Sequence, residues 1–231
     1  MEAKIVAITG TYKGLGAALS MLLAKKGYKL VLGGRNKAEL EKFTTEIKKF
    51  SDAAAVVMDV RKKKECEHFV VAAIKKFGRL DLLINNAGIW KSASFEEVTE
   101  ADLQEMFETN LFGPIYTTQA AVSIMKKQGS GHILNIGSTS AVDYKSSHVA
   151  YGASKAALVG FTGCLRTELE GTGIRVSVFS PGGMKTELFR VKPERMKEDF
   201  MDPAFVAEKI VEHIEHPTDE WHVVLRRPQK K

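Results

Sequence analysis

The sequence predicts an α/β fold: one domain built on a doubly wound parallel sheet of about seven strands, with helices on both faces. Three observations point there. Short apolar runs alternate with longer helical segments from one end of the chain to the other. These runs are apolar almost continuously, rather than at every second residue, as strands covered on both faces are. A glycine-rich turn also separates the first run from the first helical segment.

Lys4 to Thr9 reads as the first strand. The turn that follows leads into a helix from about Leu15 to Lys26, and Gly27 suits its C-terminal end. Lys29 to Leu32 reads as the second strand, ended by Gly33 and Gly34. Asn36 is an N-cap for a helix running to about Lys49. Ala54 to Met58 is the third strand, and a charged amphipathic helix runs from Lys63 to Phe77. Leu80 to Ile84 is the fourth strand. Thr99 and Asp102 form an acidic variant of a capping box and open a long helix. That helix continues past Asn110 to Lys127, with Gly113 and Pro114 as the place for a kink. The fifth strand is His132 to Ile136, the next helix Ala150 to Glu170, and the sixth strand Ile174 to Phe179. A helix from Pro203 to His216 and a short strand from His222 to Leu225 finish the pattern. No repeat, low-complexity tract or linker interrupts it, so residues 1–231 read as a single domain.

The composition narrows the function classes. The chain has 231 residues, of which 44% are hydrophobic, enough to bury a substantial core without disulfide or metal staples. Its two cysteines, Cys66 and Cys164, both lie in helical segments and neither has a CxxC partner. A disulfide framework is not expected, a reducing compartment is, and no metal site is expected. No apolar run is long enough to span a bilayer and no cleavable leader is evident, which gives a cytoplasmic location by default. The formal net charge is +6. Much of it sits in the pairs Lys25-Lys26, Lys48-Lys49, Lys75-Lys76 and Lys126-Lys127, each near the end of an expected helix. Cations there complement the helix dipole, so the charge reads as solvated surface rather than as a nucleic-acid face.

The first strand ends in Thr9-Gly10-Thr11-Tyr12-Lys13-Gly14-Leu15-Gly16. Glycines at these positions permit the tight turn and let backbone N–H groups approach a pyrophosphate at a helix N-terminus. A dinucleotide-binding fold that prefers NAD places an acid about 20 residues further on, where it receives the ribose hydroxyls. Here the second strand ends in Gly33-Gly34-Arg35-Asn36, with no acid. Arg35 can pair with a 2′-phosphate instead, and Lys13 is a second cation placed for the same group. Two cations and no acid favour NADP(H).

With these residues in hand, the sequence strongly resembles the classical short-chain dehydrogenase/reductase family, over nearly its whole length. The glycine turn has that family's TGxxxGxG form. Asp59-Val60 resembles its adenine-contacting pair, and Asn85-Asn86-Ala87-Gly88 its NNAG motif. Asn110 stands where the family has an active-site asparagine. Ser138, Tyr151 and Lys155 match its serine and YxxxK motif in order and spacing. Pro181-Gly182, followed by Met184 and Thr186, resembles the segment that receives the nicotinamide. The resemblance implies a Rossmann fold, an oxidoreductase using NADP(H), and a homodimer or homotetramer. The sequence departs from the family pattern at Gly137, where a serine is common, in the filling of the first turn, and in a short basic C-terminus.

The chemistry follows. Reduction of a ketone by hydride leaves an alkoxide that needs a proton. A tyrosine hydroxyl, with a pKa of about 10, is a poor acid–base group at neutral pH unless a neighbouring cation lowers that value. Lys155 lies four residues after Tyr151, so on a helix the two share a face. By resemblance, Tyr151 is the general acid in reduction and the base in oxidation. Lys155 tunes it and holds the nicotinamide ribose. Ser138 hydrogen-bonds the substrate oxygen, and Asn110 holds a water that links Lys155 to solvent.

The substrate itself is less legible. Residues 185–201 read as a lid that mixes Leu188, Phe189, Val191, Met196 and Phe200 with Lys185, Arg190, Lys192, Arg195 and Lys197. The apolar set either wraps an acyl chain or packs the lid; the cations either meet a phosphopantetheine carrier or solvate it. Trp90, Ser140, Val142, Tyr144 and His148 are candidate pocket walls. The reading is a small ketone or secondary alcohol, with two alternatives: a 3-oxoacyl thioester in particular, or a non-catalytic NADP(H) sensor on the same fold.

Overall fold

In a computed structural model, residues 3–146, 148–189 and 200–228 are described. Seven strands form one sheet in the order β3-β2-β1-β4-β5-β6-β7, and every pairing is parallel. The strands are β1 (Ile5–Thr9), β2 (Lys29–Gly34), β3 (Ala53–Val57), β4 (Leu82–Asn85), β5 (Gly131–Ile136), β6 (Ile174–Pro181) and β7 (His222–Leu225). The helices are α1 (Gly14–Lys25), α2 (Lys37–Ile47), α3 (Lys63–Phe77), α4 (Glu100–Phe107), α5 (Gly113–Gln128), α6 (Val149–Glu168) and α7 (Pro203–Glu215). The sheet order reverses between β1 and β4, which opens a crevice outside the carboxyl ends of the strands.

Successive residues of β1 serve different cores. Val6 and Ile8 pack with Leu15, Leu19 and Leu23 of α1 and with Val206, Ile210 and Ile214 of α7. Ile5 and Ala7 face the other way, onto Phe69, Val70 and Ala73 of α3 and Ala121 and Met125 of α5. Both faces of the strand are therefore dry, which is why its sequence shows no polar alternation. Each fully buried Leu or Phe in these layers contributes about 1.5–3 kcal/mol by leaving water.

Most expected elements stand within a residue or two of their reading, and four differences have physical causes. The second strand runs through both glycines, whose Cα atoms pair with Val56 and Val57. Bulk is excluded there instead: a Cβ on Gly33 would sit 2.9 Å from Phe69, and one on Gly34 2.5 Å from Tyr12. The fourth strand starts later than Leu80, because the Leu80 amide and carbonyl are satisfied by the Gln128 side chain at 3.0 and 2.8 Å. The sixth strand continues to Pro181, held by pairing with Leu225. The long middle helix is not kinked at Gly113-Pro114. It is broken one turn earlier by a π-helical turn, Glu108–Phe112, which joins α4 to α5. Pro114 sits in the first turn of α5, where its missing N–H costs nothing. Gly113 is there for space, since its Cβ would lie 2.8 Å from Val60.

The caps were well marked. Asn36 accepts from the Glu39 amide at 3.2 Å, and Thr99 and Asp102 form the reciprocal box. Lys25, Lys75, Lys76, Lys126 and Lys127 lie in the last turns of their helices. Cys66 is a free buried thiol and Cys164 a free exposed one. Among the described residues no cluster of His, Cys, Asp or Glu could hold a metal, and no helix is long and apolar enough to cross a membrane.

Candidate active site

A cleft of about 560 Å³ opens along the carboxyl edge of β1, β4, β5 and β6. Its floor begins with the turn after β1. Gly10 and Gly14 hold positive φ values of 70° and 58°, which only glycine adopts without strain. A Cβ on Gly16 would collide with the Gly10 carbonyl, so the start of α1 is pressed against the turn. The N-terminus of α1 then faces the cleft, with Lys13, Gly14, Leu15 and Gly16 among the lining residues. No acid caps the first turn of α1, which leaves its amides to an anion.

Asn86 braces this turn. Its side-chain amide donates to the Thr9 and Gly10 carbonyls, both at 2.9 Å, while Thr9 Oγ1 accepts from the amides of Asn86 and Ala87. Below it, buried Asn85 donates to Asn135 at 2.8 Å and accepts from Thr117 at 2.6 Å, and Asn135 donates to Thr162 at 2.9 Å. This polar chain ties β4 to β5, α5 and α6 directly beneath the site. Every side chain in it has partners, so it fixes the strand ends at little cost.

At the far end of the turn stand Tyr12, Lys13, Arg35, Asp59 and Val60. Tyr12 lies against Gly34. The Asp59 carboxylate is held by Arg61 at 2.6 Å, and those hydrogen bonds, with smaller help from Arg35, keep it below its usual range. Lys13 pairs with Glu187 at 3.2 Å, across the cleft. One of the two cations expected to meet a 2′-phosphate thus has a carboxylate partner of its own.

At the other end, α6 presents Tyr151 and Lys155 on one face, and both are buried. Lys155 Nζ donates to the Ile136 carbonyl at 2.8 Å, and burial pushes its pKa down to about 8. The Tyr151 side chain faces Ser138 in the wall of the cleft. Its pKa is raised from 10.0 because burial outweighs the lowering influence of the Ser138 hydroxyl. The expected lowering by Lys155 is not what this arrangement gives: desolvation dominates both groups and holds the tyrosine in its acid form. Ser138, just past β5, also accepts from the Ser140 amide at 3.1 Å.

Asn110 lies in the π-helical turn and is fully buried. Its side chain is committed: Oδ1 accepts from the Ile89 amide at 2.9 Å, and Nδ2 donates to the Ile89 carbonyl and to Ser154 Oγ, each at 3.0 Å. It does not line the cleft, whereas every other residue expected to act in catalysis or to bind the cofactor does. A Cβ on Gly88 would sit 3.2 Å from Asn110 Oδ1 and 3.6 Å from Lys155 Nζ, so this glycine is the gap between them.

Pro181, Gly182, Met184 and Thr186 line the cleft beyond the carboxyl end of β6. Met184 bridges to Met201, which anchors both ends of the expected lid. Leu188 and Phe200 line the cleft, whereas Arg190, Val191, Lys192, Arg195, Met196 and Lys197 lie outside the described residues. Trp90, Ser140 and His148 are pocket walls as expected; Val142 and Tyr144 are exposed and do not reach it. Glu187, Lys145 and Arg227 also line the cleft and carried no usable signal in the sequence. Their places depend on loops and on the C-terminal strand returning beside β6.

A parallel sheet with this crossover, a glycine turn under a helix N-terminus, and a buried Ser–Tyr–Lys set beside it define a Rossmann-type, nucleotide-binding oxidoreductase. The chain belongs to the short chain dehydrogenase family, whose family model matches residues 4–197. It is 35% identical over 216 residues to an uncharacterized oxidoreductase of Staphylococcus aureus strain MW2, covering 93% of this chain and 92% of that one. It is similar in structure to an alcohol dehydrogenase from the archaeon Thermococcus sibiricus complexed with 5-hydroxy-NADP: TM-score 0.90, 28% identity, 99% of this chain and 100% of the other. A 3-ketoacyl-(acyl-carrier-protein) reductase from Brucella melitensis complexed with NADH gives a TM-score of 0.89 at 29% identity, over 97% and 96% of the two chains.

Proposed function

We propose that this protein is an NADP(H)-dependent oxidoreductase acting on a ketone or secondary alcohol of a small molecule. The observation that carries the reading is the buried Tyr151, one helical turn from buried Lys155 and beside buried Ser138, all three in the wall of one cleft. A bound nicotinamide would supply the hydride.

The residues of the chain do the rest. Gly10, Tyr12, Lys13, Gly14, Leu15 and Gly16 receive the pyrophosphate end. Asp59, Val60, Ala87 and Gly88 flank the adenosine half, and Pro181, Gly182, Met184 and Thr186 flank the nicotinamide. Asn86 acts by bracing the turn. Ser138 orients the substrate oxygen, and Tyr151 gives it a proton in reduction or takes one in oxidation. Lys155 contacts the nicotinamide ribose. Its positive charge supports the phenolate left behind after proton transfer. Asn110 serves through its place in the π-helical turn: with its side chain tied to Ile89 and Ser154, the group left to hold a relay water is the widened backbone around it. An intact acid, donor and neighbouring cation favour catalysis over a sensor's role, which would need none of the three.

The phosphate form of the cofactor rests on Arg35 and Lys13, with no acid at the end of β2. Replacing both by alanine is expected to weaken NADPH binding far more than NADH binding; equal losses would sink the assignment. The activity itself is tested by NADPH consumption over ketones, quinones, aldehydes and 3-oxoacyl thioesters. Oxidation of NADPH dependent on a carbonyl supports the reading, and none across all four classes overturns it. The reading carries homo-oligomerisation with it, and Leu103 and Phe112 are exposed apolar side chains on the segment around Asn110 that would pair.

A further inference from the structure

His148 precedes α6 and stands three residues before Tyr151, in the substrate end of the cleft. Its ring is held on three sides. It meets Trp90 edge-on at 5.7 Å and Tyr151 edge-on at 6.2 Å, and Nδ1 lies 3.1 Å from Ser140 Oγ. Ser140 is itself fixed, because its amide donates to Ser138 Oγ. The imidazole is therefore pre-positioned by the same serine loop that orients the reacting oxygen. Among the described residues, the other ring nitrogen, Nε2, has no protein partner.

Nothing in the proton transfer requires this ring. Tyr151 and Ser138 already occupy the reacting oxygen. Burial, with a smaller push from Lys145, lowers the imidazole pKa from 6.5, so it is neutral at pH 7. Bonded to Ser140 through Nδ1, it offers one uncharged polar atom, donor or acceptor according to tautomer. The neighbouring lining, Ile89, Trp90, Leu188 and Phe200, is apolar. An ordered, uncharged polar atom beside such apolar surface is a specificity device: it rewards a ligand atom placed to match it.

Resting on the oxidoreductase reading, we propose that His148 is a specificity-determining residue that hydrogen-bonds a second, uncharged oxygen on the substrate. The substrate class is then a ketone with another carbonyl or hydroxyl on a neighbouring carbon: an α- or β-dicarbonyl or a hydroxyketone. The proton still comes from Tyr151; His148 sets which ketone is held, and so acts on KM more than on kcat.

The test compares 1,2-cyclohexanedione with cyclohexanone, with NADPH, in the full chain and in His148→Phe and His148→Gln. The readout is the ratio of the two kcat/KM values, in which intrinsic reactivity cancels between variants. One neutral hydrogen bond predicts a fall in that ratio of about tenfold in His148→Phe, expressed mainly in KM for the dione. His148→Gln places an amide nitrogen near the position of Nε2 and is expected to restore the ratio to within about threefold. His148→Asn, too short to reach, gives the same fall and serves if the phenylalanine variant does not fold. An unchanged ratio in all variants overturns the proposal, as does a glutamine variant that behaves like phenylalanine, since packing alone would explain that. If the unmodified protein reduces neither ketone nor any other carbonyl, the oxidoreductase reading falls first. Turnover with an unchanged ratio overturns only the role of His148.

Discussion

Lys155 is a buried amine whose one hydrogen-bond partner among the described residues is the Ile136 carbonyl, and its pKa, pushed down to about 8, reflects how poorly that environment solvates a cation. In the proposed function the site uses that charge. A neutral side chain of similar length should therefore stabilise the protein while disabling it. Lys155→Met is expected to raise Tm by about 2–4 °C, since removing an uncompensated buried charge is neutral to stabilising. The same variant should lose most of its kcat. A melting scan beside a turnover assay checks both, and a lower Tm with intact kcat would show Lys155 to be structural. The pH dependence has the same origin. The folded state prefers the neutral amine, so its burial destabilises the fold fully below about pH 8 and progressively less as pH rises towards the ordinary lysine value. Stability of the cofactor-free protein should accordingly gain a contribution from Lys155 between about pH 8 and 10.5 that Lys155→Met lacks.

At the scale of elements, the lid and the glycine turn meet through Lys13 and Glu187, which are 174 residues apart in sequence. Both side chains are largely exposed, so the pair itself is worth little. On the proposed reading its consequence is competition: a 2′-phosphate and Glu187 would share one ammonium. Glu187→Gln should shift the Kd ratio in favour of NADPH over NADH by about fivefold at most, read by fluorescence titration of both cofactors. A shift towards NADH would mean that Lys13 does not face the phosphate. This pair also marks the limit of what the chain reveals before it is folded. The glycine turn, the Thr99 box and the Tyr151–Lys155 spacing are local patterns, and local backbone geometry decides them. The π-helical turn has no composition of its own, so the sequence shows only the adjacent Gly113-Pro114 as a place for a kink. The Asn85–Asn135–Thr162 chain depends on strand register, and Lys13–Glu187 on two loops approaching through space. Such contacts leave no short-range trace. The raised pKa of Tyr151 is hidden for a related reason: the four-residue spacing displays the lysine but not the burial.

Across the whole molecule, a second polar cluster lies away from the cleft. His132 of β5 and His213 of α7 both reach Ser177 of β6, at 2.8 and 3.2 Å, and Arg175 lies 2.9 Å from His213 Nε2. Burial and Arg175 hold both imidazoles neutral; His213 is pushed to about 4 and His132 well below 6.5, with Lys4 adding to the push on His132. An unfolded chain binds protons at both near pH 6.5, so the folded state is favoured fully above that value and loses stability as pH falls towards 4. Urea midpoints should decline over this window, and His132→Gln with His213→Gln should flatten the slope. A double variant with the original slope would place the acid sensitivity elsewhere. The cluster ties β5, β6 and α7 together, so acid should loosen the half of the sheet that carries Ser138 and Pro181.

The central claim is that Tyr151 protonates a carbonyl in a site otherwise built to bind NADP(H). Tyr151→Phe keeps the ring that packs on His148 and removes only the hydroxyl beside Ser138. With a ketone found by the screen, kcat should fall by about a thousandfold, the usual worth of a positioned general acid, while the Kd for NADPH stays within about threefold. Turnover close to that of the unmodified protein, with the same Kd, would contradict the account.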